Sequence, residues 1–212
     1  MILGMSLVHW RRGAEARRWR RTALIAALSV APIALAGCAT SPPPSAEVDL
    51  APHFPFHVPS PAELGYSITT EQLVTAHYRG SVQTFEAHLS VTPQRLLLIG
   101  FDPFGRRAFT VTSTDGAISF NAAPGVPQGI NPGNILADIA IVYWPAASVR
   151  RGLPAGAELR SSASGRSIVA NGHEVIHVAY DTPFASGWPT SAHYSNEAFG
   201  YALDLRSTVT AQ

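Results

Sequence analysis

Residues 131–154 read NPGNILADIAIVYWPAASVRRGLP, and the reading of this stretch decides the fold. It is the only long segment with a helical rather than a two-residue period. Asn131 is a candidate N-cap, and Pro132 fits the first helical position, where its missing N–H is not needed. Ile135, Ile139 and Val142 follow at i, i+4 and i+7, with Leu136 and Tyr143 beside them, so one face is strongly apolar. Ala137, Ile141 and Trp144 make the opposite side apolar as well. A helix that is apolar nearly all round wants burial on more than one side, either as a core helix or as a lid over a lipid-sized cavity. Asp138 is its one acid, readable as a capping or partly exposed carboxylate or as a fixed polar group at a cavity edge. Trp144 precedes a proline and is pushed out of the α region, so the helix should break there. Pro145 can start a short second helix through Arg150 and Arg151 that stops at Gly152.

On both sides of this insert the period changes to two. Strands are expected at 73–78, 82–91, 95–101, 107–114 and 118–120 before it, and at 158–162, 166–170, 174–180, 191–195 and 201–206 after it. The stretch 95–101 is apolar at nearly every position, as in a strand covered on both faces. Asp115-Gly116 and Asn171-Gly172 are hairpin turn signals. About ten antiparallel strands around one helical insert should curl into an incomplete, half-open β-barrel with the helices as lid or plug.

The N-terminal end reads differently. Arg11, Arg12, Arg17, Arg18, Arg20 and Arg21 form a basic region, followed by an apolar run from Ala23 to Ala34 that is too short to span a membrane comfortably and suits a signal peptide. It leads into Leu35-Ala36-Gly37-Cys38, which resembles the bacterial lipobox, with Cys38 as the site of lipidation. Met1 and Met5 both stand as possible starts. Residues 1–37 are thus expected to be a lipoprotein signal peptide. Residues 38–61, with seven prolines, are expected to be the lipidated cysteine and an extended tether. Residues 62–212 should form a single β-domain. Ala39 in place of Asp favours, by resemblance to enterobacterial sorting, an outer-membrane location with the domain facing the periplasm.

Composition narrows the function. All fifteen basic residues are Arg, and from Cys38 onward the acids outnumber them by four, so no basic footprint for nucleic acid exists. Cys38 is the only cysteine, which excludes disulfides and cysteine-held metals. His173 and His177 are four apart, but on a strand their Cα atoms would lie about 13 Å apart and could not chelate one metal by themselves. His77, His88 and His193 would join them only through one particular closure of the sheet, and His53 and His57 read as solvated tether residues. No metal or other cofactor is expected. No nucleophile elbow, zinc-protease motif or nucleotide fingerprint is present, no serine is singled out, and no catalytic residue is assigned. The Arg106-Arg107 and Arg150-Arg151 pairs read as solvated surface, or as contacts for anionic head groups.

Several blocks together resemble the bacterial lipoprotein family DUF3261. They are the lipobox at Cys38, Tyr78-Arg79-Gly80-Ser81, Gly100 to Arg107, Ile135-Leu136-Ala137-Asp138-Ile139 leading to Tyr143-Trp144-Pro145, and Gly200-Tyr201. That family is similar to the LolA/LolB lipoprotein carriers, which implies a LolB-like half-barrel with a helical lid enclosing an apolar cavity for acyl chains. It supplies no catalytic residues. The position after Asp138-Ile139 that is usually polar in the family is Ala140 here. The expected function is a monomeric, non-enzymatic outer-membrane lipoprotein that binds acyl chains and acts in transfer of a lipoprotein or an aryl polyene lipid. The expected cavity lining is Ile135, Leu136, Ile139, Val142, Tyr143, Trp144, Phe101 and Phe109, with Asp138 as the polar site. The partners are acyl chains and the membrane that holds the anchor. The alternatives are a non-catalytic assembly lipoprotein that binds a protein partner and, further off, a periplasmic hydrolase.

Overall fold

The computed structural model describes residues 46–126, 130–182 and 187–211; the expected signal peptide, Cys38 and the first residues of the expected tether lie outside the described residues. Strands β1 (Glu47–Ala51) and β2 (Phe54–His57) come first, then a 3-10 turn (Pro61–Leu64). Five strands follow: β3 (Ile68–Tyr78), β4 (Ser81–Thr92), β5 (Arg95–Phe101), β6 (Arg107–Thr114) and β7 (Ala117–Ala122). Helices α1 (Pro132–Tyr143) and α2 (Ala146–Gly152) form the insert. The chain ends in β8 (Ala157–Ser161), β9 (Gly165–Ala170), β10 (His173–Tyr180), β11 (Ser191–Asn196) and β12 (Tyr201–Ala211).

Strands β3 to β12 make one ten-stranded antiparallel sheet in the order β7-β6-β5-β4-β3-β12-β11-β10-β9-β8. Each run of strands is a meander, and the two are sewn together where β3 pairs with β12, Tyr78 opposite Tyr201 and Thr69 opposite Ala211. The free edges are β7 and β8, the two strands that flank the helical insert in sequence, so the barrel stays half-open and the insert belongs to its gap. Asp115 and Gly116 (φ 49° and 79°), like Asn171 and Gly172 (φ 51° and 81°), both adopt positive φ. That is the geometry a two-residue turn needs to match the twist of its strands. Strand β5 departs from expectation. Leu96, Leu98 and Gly100 are buried, but Leu97, Ile99 and Phe101 on the other face are only half-covered, so no second layer of the described residues lies there.

Helix α1 forms where local chemistry places it. The Asn131 side chain accepts the Gly133 N–H at 2.9 Å, and Trp144 turns extended (ψ 157°) before Pro145. From Leu136 to Trp144 every residue is buried. One side of the helix meets the inner face of the sheet; the other is covered by the β1–β2 hairpin. The expectation of an extended tether over residues 38–61 fails over its described part, 46–61, which folds onto the domain. Val48, Leu50 and Phe56 are buried, Phe56 completely. A Cβ on Gly133 would lie 2.4 Å from Val48 Cγ1, and one on Gly152 would lie 2.2 Å from the His57 carbonyl oxygen, so both helices touch the hairpin at close range. Proline is compatible with this ribbon, because β2 pairs only with β1 and both are edge strands. The apolar back of α1 therefore packs against chain, not against a large open cavity.

Candidate functional site

The most unusual chemistry lies between α1 and the last two strands. Asp138 is buried and accepts hydrogen bonds from two tyrosine hydroxyls: Tyr194 donates to Oδ1 at 2.5 Å, and Tyr201 lies 2.9 Å from Oδ1 and 2.8 Å from Oδ2. Tyr194 comes from β11 and Tyr201 from β12, with ring centres 5.9 Å apart. Burial pushes the Asp138 carboxyl up to about 7, and the two hydrogen bonds offset that only in part. Burial, with Asp138 beside them, holds both tyrosine hydroxyls well above their usual range. Among the described residues no Arg or His acts on this carboxyl, so its charge would have no counter-ion there. An unpaired buried charge is costly, so the protonated form is favoured by its surroundings.

Other polar contacts hold the same helix. Gln72 donates to the Tyr143 hydroxyl at 3.2 Å, and that hydroxyl shares a 3.1 Å hydrogen bond with Ser207. The Tyr143 ring stacks on Trp188 at 3.8 Å. Tyr180 donates to the Val142 carbonyl at 2.6 Å. Arg166, buried under the helix end, donates to the carbonyls of Ile141 and Trp144, each at 2.7 Å. These are among the last carbonyls of α1, which have no partner inside the helix. The Trp144 indole N–H reaches the Ser60 carbonyl at 2.9 Å, and Asn196 donates to the Leu50 carbonyl at 3.0 Å, fixing the hairpin to helix and sheet.

At the N-terminal end of α1 the layers part. A cavity of about 590 Å³, open to solvent, lies between β1, β7 and the first turn of α1, lined by Val48, Ile118, Phe120, Gly133, Asn134 and Phe199 among others. Its size is within the roughly 300–1,000 Å³ of ligand sites. The Asn134 Oδ1 is buried here without a hydrogen-bond partner among the described residues. Asn134 precedes Asp138 by one helical turn, so the two share a face about 6 Å apart along the axis.

The expected lining residues separate into three groups. Leu136, Ile139, Val142, Tyr143 and Trp144 are core, closed in by sheet and hairpin, while Ile135 is partly exposed beside them. Phe109 is buried on the inner face, against Phe85 at 5.7 Å and Phe120 at 6.3 Å. Phe101 does not belong with them. Alternation along β5 turns it to the opposite face, where its ring lies 5.1 Å from His88. Asp138 is buried between α1 and the last two strands, not at a cavity edge.

The histidines lie elsewhere. His77 Nε2 and His193 Nδ1 flank Asp204 at 2.8 and 2.7 Å, and these two hydrogen bonds hold the exposed Asp204 carboxyl below its usual range. His88 lies 3.8 Å from Glu71, and His177 lies 3.2 Å from Glu174. Among the described residues no group of three or more His, Cys, Asp or Glu is placed to hold a metal ion. His193 is oriented by a carboxylate as a base would be, yet the hydroxyl of nearby Ser191 donates to Asp181 at 2.5 Å.

The sequence profile of the family described as "Protein of unknown function (DUF3261)" matches residues 69–209. The chain belongs to the DUF3261 family. The matched span holds Asp138, Tyr194 and Tyr201, and leaves out the hairpin. In chain course this DUF3261 protein is similar to a LolA superfamily protein from Nitrosomonas europaea, known from its crystal structure. The TM-score is 0.39 at 8% identity, over 69% of this chain and 87% of that one. No curated protein matches the sequence.

Tyr194 and Tyr201 are the site residues that sequence reasoning missed. The signal was present in strand parity. Ala192, Tyr194 and Asn196 alternate with polar residues, which turns Tyr194 inward toward whatever covers the sheet.

Proposed function

We propose that the protein is an outer-membrane lipoprotein, anchored through Cys38, that binds acyl chains of a lipid or lipoprotein and passes them on without bond chemistry. The observation that carries this reading is the open cavity beside the first turn of α1. Ile118, Phe120 and Phe199 line it beside the acids Glu47 and Asp49, and Ile118 and Phe120 pack against the apolar core that α1 covers. Burial supplies the affinity, about 0.8 kcal/mol for each CH₂ removed from water. Transfer requires that a chain enter only in part, since deep burial would prevent release.

The test uses residues 38–212 with Cys38→Ala, which removes the anchor and keeps every described residue. The purified protein is extracted for bound lipid and titrated with a fluorescent fatty acid. Displaceable, saturable binding is expected, reduced at least tenfold by Phe120→Glu. A folded protein that binds no probe and carries no lipid would refute the reading. The unaltered chain should fractionate with outer membranes, and the Cys38→Ala chain should not.

A second reading, an assembly lipoprotein that binds a protein partner, draws on the tips of β3–β4 and β5–β6. There Val82 is 59% and Phe104 83% exposed. Loss of a co-purifying partner on Phe104→Ser, with fatty-acid binding intact, would favour it.

A further inference from the structure

The cluster at Asp138 poses a problem that packing alone does not answer. A helix that only needed to fill the half-barrel would be better served by an apolar side chain, because a buried carboxyl without a counter-ion stabilises little. The two tyrosines are equally odd partners: their hydroxyls also hydrogen-bond each other, and Tyr201 meets Asn196, yet both converge on this one carboxyl. The donors stand on the sheet, on adjacent strands β11 and β12. The acceptor stands on the inserted helix. Tyr201 reaches both oxygens and Tyr194 reaches one, so the pair forms a cradle shaped for a planar two-oxygen group.

We infer that the Tyr194 and Tyr201 hydroxyls form a binding subsite for the carboxyl or ester carbonyl of an acyl ligand, and that the Asp138 carboxyl of the protein's own helix occupies it when no ligand is bound. The inference rests on the acyl-binding reading and deepens it, naming the head group that the site selects. Neutral hydroxyl donors with no cation suit a carboxylic acid or an ester. A phosphate or sulfate, which keeps its charge, would want arginine. The route is marked by Asn134, one turn before Asp138 on the same helix face, which lines the open cavity with a buried, unpartnered Oδ1. A ligand entering there would meet Asn134 first and the tyrosine pair next. Its head group would displace Asp138, and with it one tie between α1 and the sheet.

The test compares two ligands of equal length, hexadecanoic acid and chlorohexadecane, by displacement of a fluorescent fatty-acid probe from residues 38–212 with Cys38→Ala. The readout is the ratio of their affinities, which cancels general loosening of the helix. Asp138→Ala removes the internal competitor and should raise the preference for the acid about tenfold. Adding Tyr194→Phe and Tyr201→Phe in that background should lower it tenfold to a hundredfold, as expected for the loss of two hydrogen bonds. Should Asp138→Ala not fold, Asp138→Asn keeps the volume while offering one carbonyl acceptor. In addition, the infrared carbonyl band of carboxyl-labelled hexadecanoic acid should shift between the Asp138→Asn protein with and without Tyr201→Phe. A ratio that does not change across these variants, or a carbonyl band that does not move, overturns the inference while leaving acyl binding intact. Binding of neither ligand by any folded variant overturns both.

Discussion

Replacing Asp138 by Asn should change how stability depends on pH, and the size of the change follows from the burial of this one carboxyl. In the folded protein it titrates at about 7, against an ordinary value of 3.8. Between those pH values the folded state holds a proton that the unfolded chain has lost, so stability falls as pH rises through the window. A tenfold difference in proton affinity is worth about 1.4 kcal/mol. The ionised carboxyl therefore costs the folded state about 4 kcal/mol above pH 7, a cost absent below about pH 4. The amide introduced by Asp138→Asn cannot ionise but offers one acceptor in place of two, a loss of about 1–2 kcal/mol at any pH. The variant should be less stable than the parent below about pH 4, level with it near about pH 5, and more stable, by about 2 kcal/mol, at about pH 8.5. For a domain of this size that is about 4–8 °C in Tm. Urea titrations of both proteins at closely spaced pH values measure the difference directly, and other titrating groups cancel in it. A difference that stays constant across the range would mean that Asp138 is not enclosed as described, and the reasoning would fail with it.

Three further substitutions probe how the helix is held. Arg166→Met should cost about 3 kcal/mol in urea unfolding, because two carbonyls at the end of α1 lose a charged donor while staying buried; an unchanged midpoint would count against this cap. Phe56→Ala should cost about 3–5 kcal/mol if the hairpin is part of the core, whereas a residue in a solvated tether would cost nothing. Gly100→Ala would set a Cβ 2.3 Å from the Phe109 ring and should cost about 1–3 kcal/mol; pairing it with Phe109→Leu should recover part of that loss, and no recovery would place the strain elsewhere.

Much of the fold could be read from local chemistry, because its decisive signals need no distant partner. Asn131 with Pro132 starts α1, and Trp144 before Pro145 stops it, whatever packs around them. Asn171-Gly172 forces a hairpin in the same way. What the sequence concealed depended on partners far along the chain. The prolines at 52 and 55 suggested a tether, and only the weak alternation of Val48 with Leu50 and of Phe54 with Phe56 hinted at strands. The covering of α1 by that hairpin explains why the helix is apolar on every side, a pattern that by itself also fits a lid. Asp138 stood out by type, but its partners lie 56 and 63 residues away, and only the topology brings them together. Phe101 was misplaced because a run of apolar residues hides the parity of its strand.

The seam between β3 and β12 has a consequence for how the chain reaches this structure. It joins strands roughly 120–140 residues apart, near the middle of the sheet order. Entropy of loop closure grows only slowly with length, but such pairing must wait for both ends and makes folding slow. Until β12 arrives, β3 and β11 are both unpaired edges, each a template for pairing with another molecule. The last strand thus acts as a gatekeeper. A chain cut before Tyr201 should give two meanders that aggregate and not a slightly weakened domain, and any factor that shields β3 during synthesis would raise the yield of folded protein.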